Sequence, residues 1–150
     1  MEIRPFNPTN SIPWDLLLLA DPDRDQIRAY WHPSRALVLI QDGRQIGILA
    51  WKEIKKGVGE ICNIAIHPSQ QGQGLGKLLL QAVETNAATR HITEWQIATA
   101  NSSIGQLALY QKQGFQLYEV VWNYFMEHYP EPIFEHGIQA LHQMRLRKVF

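Results

Sequence analysis

The stretch His67–Leu80, HPSQQGQGLGKLLL, places three glycines within five positions and then continues in an apolar pattern. From Leu75, apolar residues recur at spacings of three and four, which predicts an amphipathic helix with the stripe Leu75, Leu78, Leu79, Ala82 and Val83. The apolar run before the stretch, GEICNIAI at Gly59–Ile66, predicts a strand. Glycines between a strand and a helix let the backbone approach a ligand, and the helix N-terminus attracts an anion. The stretch therefore predicts a phosphate-bearing ligand.

Two common nucleotide-binding patterns fail on spacing. A Walker A loop requires a glycine where Gln71 stands and a serine or threonine where Leu78 stands. In the two possible registers of the dinucleotide pattern G-x-G-x-x-G, Lys77 or Leu79 replaces the third glycine. The loop therefore matches neither pattern.

The pattern that fits is Q-x-x-G-x-G, formed by Gln71, Gly74 and Gly76. It resembles the loop of the GNAT superfamily of acetyl-CoA-dependent N-acetyltransferases. A second motif of that superfamily, a tyrosine shortly before Gly-Phe, has its counterpart in LYQKQGF, which contains Tyr110. The segments DLLLLADP, NSSIGQLALYQKQGF and HYPEPIFEHGIQ resemble a YvbK-like branch of bacterial GNAT proteins, so the resemblance covers nearly the whole chain.

Composition limits the number of domains, the partners and the location that we expect. The 150 residues are 45% hydrophobic with zero formal net charge, which predicts one domain over residues 1–150 and no nucleic-acid partner. The single cysteine, Cys62, cannot form an intramolecular disulfide and fits a reducing compartment. The run Leu16–Ala20 is too short to span a membrane, and no signal peptide is evident. We expect a cytoplasmic protein with no membrane partner.

The element pattern predicts an α/β (α+β) fold. EIRPF predicts a strand, WDLLLLADPDRDQIRAYW two helices broken at Asp21-Pro22, and ALVLIQDGRQIGILAWKEI a hairpin turning at Asp42-Gly43. TEWQIATA and FQLYEVVW predict strands around a helix in SSIGQLALYQKQ, whose stripe is Ile104, Leu107 and Ala108. In the tail we expect a short helix, a loop at PEPIFEHG and a last strand. The resemblance implies a mixed, mostly antiparallel sheet, splayed between its fourth and fifth strands and flanked by about four helices.

The resemblance also implies how acetyl-CoA is bound. Backbone groups of one strand would bond the pantetheine arm, and N–H groups of the loop would bond the pyrophosphate, while Asn101 would reach the coenzyme. The implied strand residues are Ile64, Ala65 and Ile66; the loop residues are Gln71, Gly72, Gln73, Gly74, Leu75, Gly76 and Lys77. A plain helix cap is the alternative for Asn101, since Ser103 holds the position where the family often has its asparagine.

Two residues are candidates for catalysis. Glu60 lies 11 positions before Gln71, the spacing of the base glutamate in the histone-acetyltransferase branch, so it is the candidate base. Alternatively, Glu60 merely begins a surface strand. Tyr110 is the candidate acid that protonates the leaving thiolate, with a core aromatic as the alternative.

The remaining chemistry-bearing residues give weaker indications. Cys62 lies among apolar neighbours, where a thiol is usually inert, and no histidine or cysteine spacing indicates a metal site. Aromatic residues interleave with acids in the tail, which suits an amine-bearing ligand; the weak candidates are Trp122, Tyr124 and Glu127. The tail aromatics could instead complete the core or a homodimer contact.

The sequence therefore predicts an N-acetyltransferase that passes acetyl directly from acetyl-CoA to a primary amine, with a small molecule favoured as acceptor. A protein or peptide N-acetyltransferase is the alternative within the enzyme class. A coenzyme A-binding sensor or assembly module without turnover is the alternative outside it.

Overall fold

The computed structural model describes residues 1–150 except the side chain of Ala87, and the chain divides into two compact units. Unit 1 comprises Met1–Thr93 and unit 2 comprises Glu94–Phe150. The single-domain organisation stays a prediction.

Unit 1 contains four strands and three α-helices. In chain order they are β1 (Glu2–Pro5), α1 (Trp14–Ala20), α2 (Arg24–Trp31), β2 (Arg35–Gln41), β3 (Arg44–Lys55), β4 (Val58–Ile66) and α3 (Leu75–Thr85). Neighbouring strands pair antiparallel in the order β1-β2-β3-β4. All of the predicted elements of this half are present.

Local chemistry explains the turns of unit 1. The β2–β3 turn has φ of 51° at Asp42 and 75° at Gly43, the positive values that a two-residue hairpin turn requires. The helix break at Asp21-Pro22 is followed by a cap, because the Asp23 carboxylate accepts hydrogen bonds from the Asp25 and Gln26 backbone N–H groups.

Helices α1 and α2 pack on one face of the unit 1 strands. Leu16, Leu17 and Ile27 from the two helices are buried in one cluster with alternate strand residues, Ala36, Val38, Ile40, Ile48, Ala50 and Ala65. Helix α3 also packs against β2, β3 and β4, and its buried side chains are Leu75, Leu79, Leu80 and Val83. The predicted stripe included Leu78, which is 43% exposed, and omitted Leu80.

Unit 2 contains five strands and two α-helices. They are β5 (Glu94–Ala100), α4 (Ile104–Lys112), β6 (Gln116–Val121), α5 (Tyr124–His128), β7 (Phe134–Glu135), β8 (Ile138–Gln139) and β9 (Gln143–Val149). The last strand lies between the other two long ones, in the order β5-β9-β6, and both pairings are antiparallel. The described chain thus has five α-helices, against the four or so expected.

Two predictions for unit 2 were wrong. The expected loop at PEPIFEHG contains β7, which pairs with β8 through a turn at His136 and Gly137, with φ of 52° and 77°. The predicted α4 stripe is also wrong, because Ile104 is 54% exposed and Ala108 is exposed, whereas Tyr110 is buried. No helix in the described residues has the length and hydropathy needed to cross a membrane.

Candidate active site

The glycine loop meets helix α3 in a geometry that suits an anion. Gly74 has φ of 77°, and its carbonyl oxygen accepts the first bond within the helix, from the Leu78 N–H at 3.2 Å. The N–H groups of Leu75, Gly76 and Lys77 precede that bond and therefore have no partner within the helix. Among the described residues no side chain caps this end. The first turn thus presents free donors at the positive end of the helix dipole.

Gln71 supports the loop rather than lying free in it. Its side-chain Nε2 donates to the Ile66 carbonyl oxygen at 3.0 Å, and its backbone N–H donates to the Pro68 carbonyl oxygen at 3.4 Å. These bonds tie the loop to the end of β4. The Gln71 N–H is therefore already engaged, unlike the N–H groups of the first turn of α3.

The end of β4 presents backbone groups away from β3. The His67 N–H donates to the Ile46 carbonyl oxygen of β3 at 2.7 Å. Because backbone groups alternate in direction along a strand, those of Ala65 also point towards β3, while those of Ile64 and Ile66 point to the opposite edge. Ile64 and Ile66 thus have the orientation expected for a pantetheine contact, and Ala65 does not.

Strand β4 bulges beside the candidate base. Ala50 pairs with Asn63 and Trp51 pairs with Ile61, so Cys62 is the extra residue. Its thiol donates to Glu60 Oε1 at 3.7 Å, and Sγ lies 3.8 Å from Ser34 Oγ. Burial, and secondarily the charge of Glu60, raise the pKa of the Cys62 thiol to about 12, so the thiol is protonated at neutral pH and is a poor nucleophile.

A polar network that we did not predict lies next to this bulge. Asn63 Nδ2 donates to the Leu17 carbonyl oxygen at 3.0 Å and to Tyr30 Oη at 2.9 Å. Tyr30 Oη in turn donates to Asp21 Oδ2 at 3.4 Å. Burial is the main cause that raises the pKa of the Tyr30 hydroxyl, which therefore stays protonated. The signal in the sequence was an asparagine inside an otherwise apolar strand.

The candidate acid is enclosed in unit 2. Tyr110 is 3% exposed, and its ring lies 6.2 Å from that of Phe115. Within the part of the chain that the structure describes, no hydrogen bond to its hydroxyl is found. Burial raises the pKa of Tyr110, because a phenolate there would be desolvated. The group therefore carries its proton throughout the neutral range.

Asn101 is engaged with the tail of unit 2. Its Oδ1 accepts hydrogen bonds from the Leu141 and His142 backbone N–H groups at 2.8 and 3.0 Å, and Nδ2 donates to the Gln139 carbonyl oxygen at 3.1 Å. One N–H of the side chain remains for a ligand. These bonds show that Asn101 organises the tail, and its contact with the coenzyme stays a prediction.

The two aromatic acceptor candidates of the tail contact different histidine rings. Trp122 is 69% exposed and its ring meets that of His142 at 4.2 Å, whereas Tyr124 stacks on His128 at 4.1 Å. Glu127 is exposed on α5.

Glu135 accepts hydrogen bonds from two buried serine hydroxyls, Ser102 and Ser103, at 2.9 and 2.7 Å. No group of three metal-binding side chains is found among the described residues.

Comparison with known proteins identifies the family. The model of the acetyltransferase (GNAT) family matches residues 6–115. This chain belongs to that family. It is 39% identical to an uncharacterized N-acetyltransferase, YvbK, of Bacillus subtilis (strain 168), over 92% of this chain and 89% of that protein.

Solved structures agree with this assignment. A GNAT family acetyltransferase from Elizabethkingia anophelis with acetyl-CoA bound is 36% identical, with a TM-score of 0.94 over 99% of this chain and 97% of that chain. A Bacillus subtilis acetyltransferase in complex with CoA is 35% identical, with a TM-score of 0.90 over 99% of this chain and 97% of that chain. The predicted GNAT fold is confirmed. The chain is an N-acetyltransferase that uses acetyl-CoA.

Proposed function

We propose that this enzyme transfers acetyl directly to the primary amine of a small molecule. The observation that carries the proposal is the polar cluster at the β4 bulge, formed by buried Asn63 and by half-buried Glu60, Cys62 and Tyr30. It offers mainly acceptor oxygens, which suit an amine, and Asn63 is bonded to Leu17 of α1 and to Tyr30 of α2. Acceptor groups held this close to two helices favour a compact acceptor over an extended peptide.

The reaction balances without a covalent enzyme intermediate. The neutral amine nitrogen attacks the thioester carbonyl carbon, so a C–N bond forms and the C–S bond breaks. One proton leaves the nitrogen for the Glu60 carboxylate, directly or through a water, and Tyr110 gives its proton to the departing thiolate. Solvent then takes the proton from Glu60 and returns one to Tyr110, so that both side chains end the turnover as they began it. The products are an N-substituted acetamide and coenzyme A. Burial raises the pKa of Tyr110, so the hydroxyl holds its proton until the thiolate forms.

We assign binding of the donor to the residues that the resemblance implied, except Gln71, whose N–H is engaged, and Ala65, whose backbone groups point towards β3. Loop N–H groups from Gly72 to Lys77 hold the pyrophosphate, and the β4 backbone at Ile64 and Ile66 holds the pantetheine arm. The ammonium group of exposed Lys77 adds positive charge near the phosphates. Asn101 as a coenzyme contact, the tail residues Trp122, Tyr124 and Glu127 as acceptor contacts, a cytoplasmic location and a homodimer remain predictions.

The test is a panel of acceptors with detection of the released thiol. The panel contains 2-phenylethylamine, butylamine, spermidine and a lysine-containing peptide, each with acetyl-CoA. The proposal predicts thiol release with a small primary amine and none without an acceptor. Turnover confined to the peptide would establish the protein N-acetyltransferase alternative. Tight acetyl-CoA binding without turnover of any acceptor would favour a coenzyme A-binding module.

A further inference from the structure

The side-chain amide of Asn63 is only half satisfied. Both hydrogens of Nδ2 are used, by the Leu17 carbonyl and by Tyr30 Oη. Its Oδ1 is the one buried side-chain N or O atom, among those that the structure describes, without a hydrogen-bond partner. The residue is 4% exposed. A buried acceptor without a donor is costly, so its presence in a strand core indicates that a donor arrives from outside the chain.

The position of Oδ1 cannot be corrected by exchanging the two amide atoms. The Leu17 carbonyl is an acceptor only, so the NH₂ group must face it. Tyr30 Oη donates to Asp21, which leaves Tyr30 to accept from Asn63. The network therefore fixes the orientation of the amide and leaves its carbonyl oxygen free.

Asn63 also adjoins the candidate base. It follows the bulged residue Cys62, whose thiol contacts the Glu60 carboxylate at 3.7 Å and Ser34 Oγ at 3.8 Å. The Ser34 hydroxyl donates to the carbonyl oxygen of Tyr30, the residue that binds Asn63. Glu60 and Asn63 are thus joined through one cluster of contacts.

We propose that Asn63 Oδ1 binds the N–H that stays on the acceptor nitrogen, which makes Asn63 the residue that selects primary over secondary amines. A primary amine has two N–H bonds. One proton passes to Glu60 as the C–N bond forms, and the other remains on the acetamide product and donates to Asn63. A secondary amine has a single N–H, which must be given up, so it leaves Oδ1 unpaired. This inference rests on the proposed function.

The test compares the best primary amine of the panel, beginning with 2-phenylethylamine, with its N-methyl derivative. The ratio of their kcat/KM values is measured at saturating acetyl-CoA for the wild type and Asn63→Leu. We expect the wild-type preference for the primary amine to fall about tenfold in the variant, which corresponds to about 1.4 kcal/mol. Calorimetry should give the same acetyl-CoA affinity for both proteins. Asn63→Ser provides a second, smaller substitution if the leucine variant does not fold.

Tyr30→Phe is the matched control. It removes one partner of the Asn63 Nδ2 group but keeps Oδ1, so it should slow both amines alike and leave their ratio unchanged. If Asn63 only fastens α1 and α2 to β4, the Asn63 variants will behave like Tyr30→Phe, and the inference is overturned. If the wild type turns over no amine of the panel, the proposed function fails and this inference fails with it. If the wild type turns over amines and the Asn63 variants keep its preference for the primary amine, only this inference fails.

Discussion

Replacing Gly74 with alanine tests how the backbone of the loop binds the coenzyme. Gly74 has φ of 77°, and no atom lies within 4 Å of a Cβ added there. The substitution therefore creates no clash, and its cost is that of a left-handed conformation, about 1–2 kcal/mol. For a chain of this length that cost lowers Tm by about 2–8 °C if alanine keeps the conformation.

The coenzyme affinity shows whether the loop relaxes. If the free loop of Gly74→Ala escapes the left-handed conformation, binding must restore it, and Kd for acetyl-CoA rises by about 5- to 30-fold. Differential scanning fluorimetry and calorimetry measure the two effects. The losses of folding free energy and of binding free energy should together amount to about 1–2 kcal/mol, because the left-handed conformation of the substituted alanine has to be formed only once.

Gly105→Ala is the matched control. Gly105 also has open space around an added Cβ, but it lies in helix α4 without a positive φ. Alanine is favoured over glycine in a helix by about 0.5–1 kcal/mol, so Tm should stay constant or rise. The reasoning is refuted if Gly74→Ala and Gly105→Ala have the same effect on Tm and on acetyl-CoA affinity.

Three further predictions follow from single side chains. Tyr110→Phe should lower kcat by about 100-fold or more and leave Tm unchanged or higher, since the ring stays enclosed and no hydrogen bond to the hydroxyl is found in the described structure. Unchanged kcat across pH would exclude the acid role. Native Cys62, with a pKa raised to about 12, should resist iodoacetamide at about pH 8 and react fully in guanidinium, as followed by mass spectrometry; rapid native labelling would contradict the burial argument. His91 lowers the pKa of Glu53 through a 2.5 Å hydrogen bond, so this stabilisation is present above the unfolded pKa of the carboxyl and lost as pH falls through its folded pKa. The Tm difference between wild type and Glu53→Gln should therefore narrow on acidification below about pH 4, and a widening gap would reverse the assigned sign.

The sequence predicts those elements that short-range chemistry specifies. The Asp42-Gly43 turn, the break at Pro22 and the glycine loop before α3 each depend on a few adjacent residues, and each is present. The His136-Gly137 turn was missed because the pairs that indicate a two-residue hairpin turn are Asn-Gly, Asp-Gly and Gly-Gly, and His-Gly is not among them. The local sequence favours this turn only weakly, and the pairing of β7 with β8 stabilises it.

Long-range packing explains the rest of what was missed. The bulge at Cys62 depends on the register between β3 and β4, which neither strand encodes by itself. The partners of Asn63 lie 46 and 33 residues away in the chain, so no local pattern could reveal them. The apolar spacing of α4 also misplaced its buried face, because Tyr110 rather than Ile104 is enclosed. The acceptor contact that we propose at Asn63 depends on such distant partners, which is why the sequence identifies the acetyl donor more clearly than the acceptor.

The most direct test of direct acetyl transfer to a small primary amine counts both products of one reaction. Enzyme, acetyl-CoA and the best amine of the panel are mixed, and free thiol and acetylated amine are quantified by mass spectrometry in the same samples. The account predicts that the two appear in equal amounts from the first turnover, with no acetylated enzyme. Thiol released without acetylated amine, or an acetyl group found on the protein before the amine is added, would contradict it.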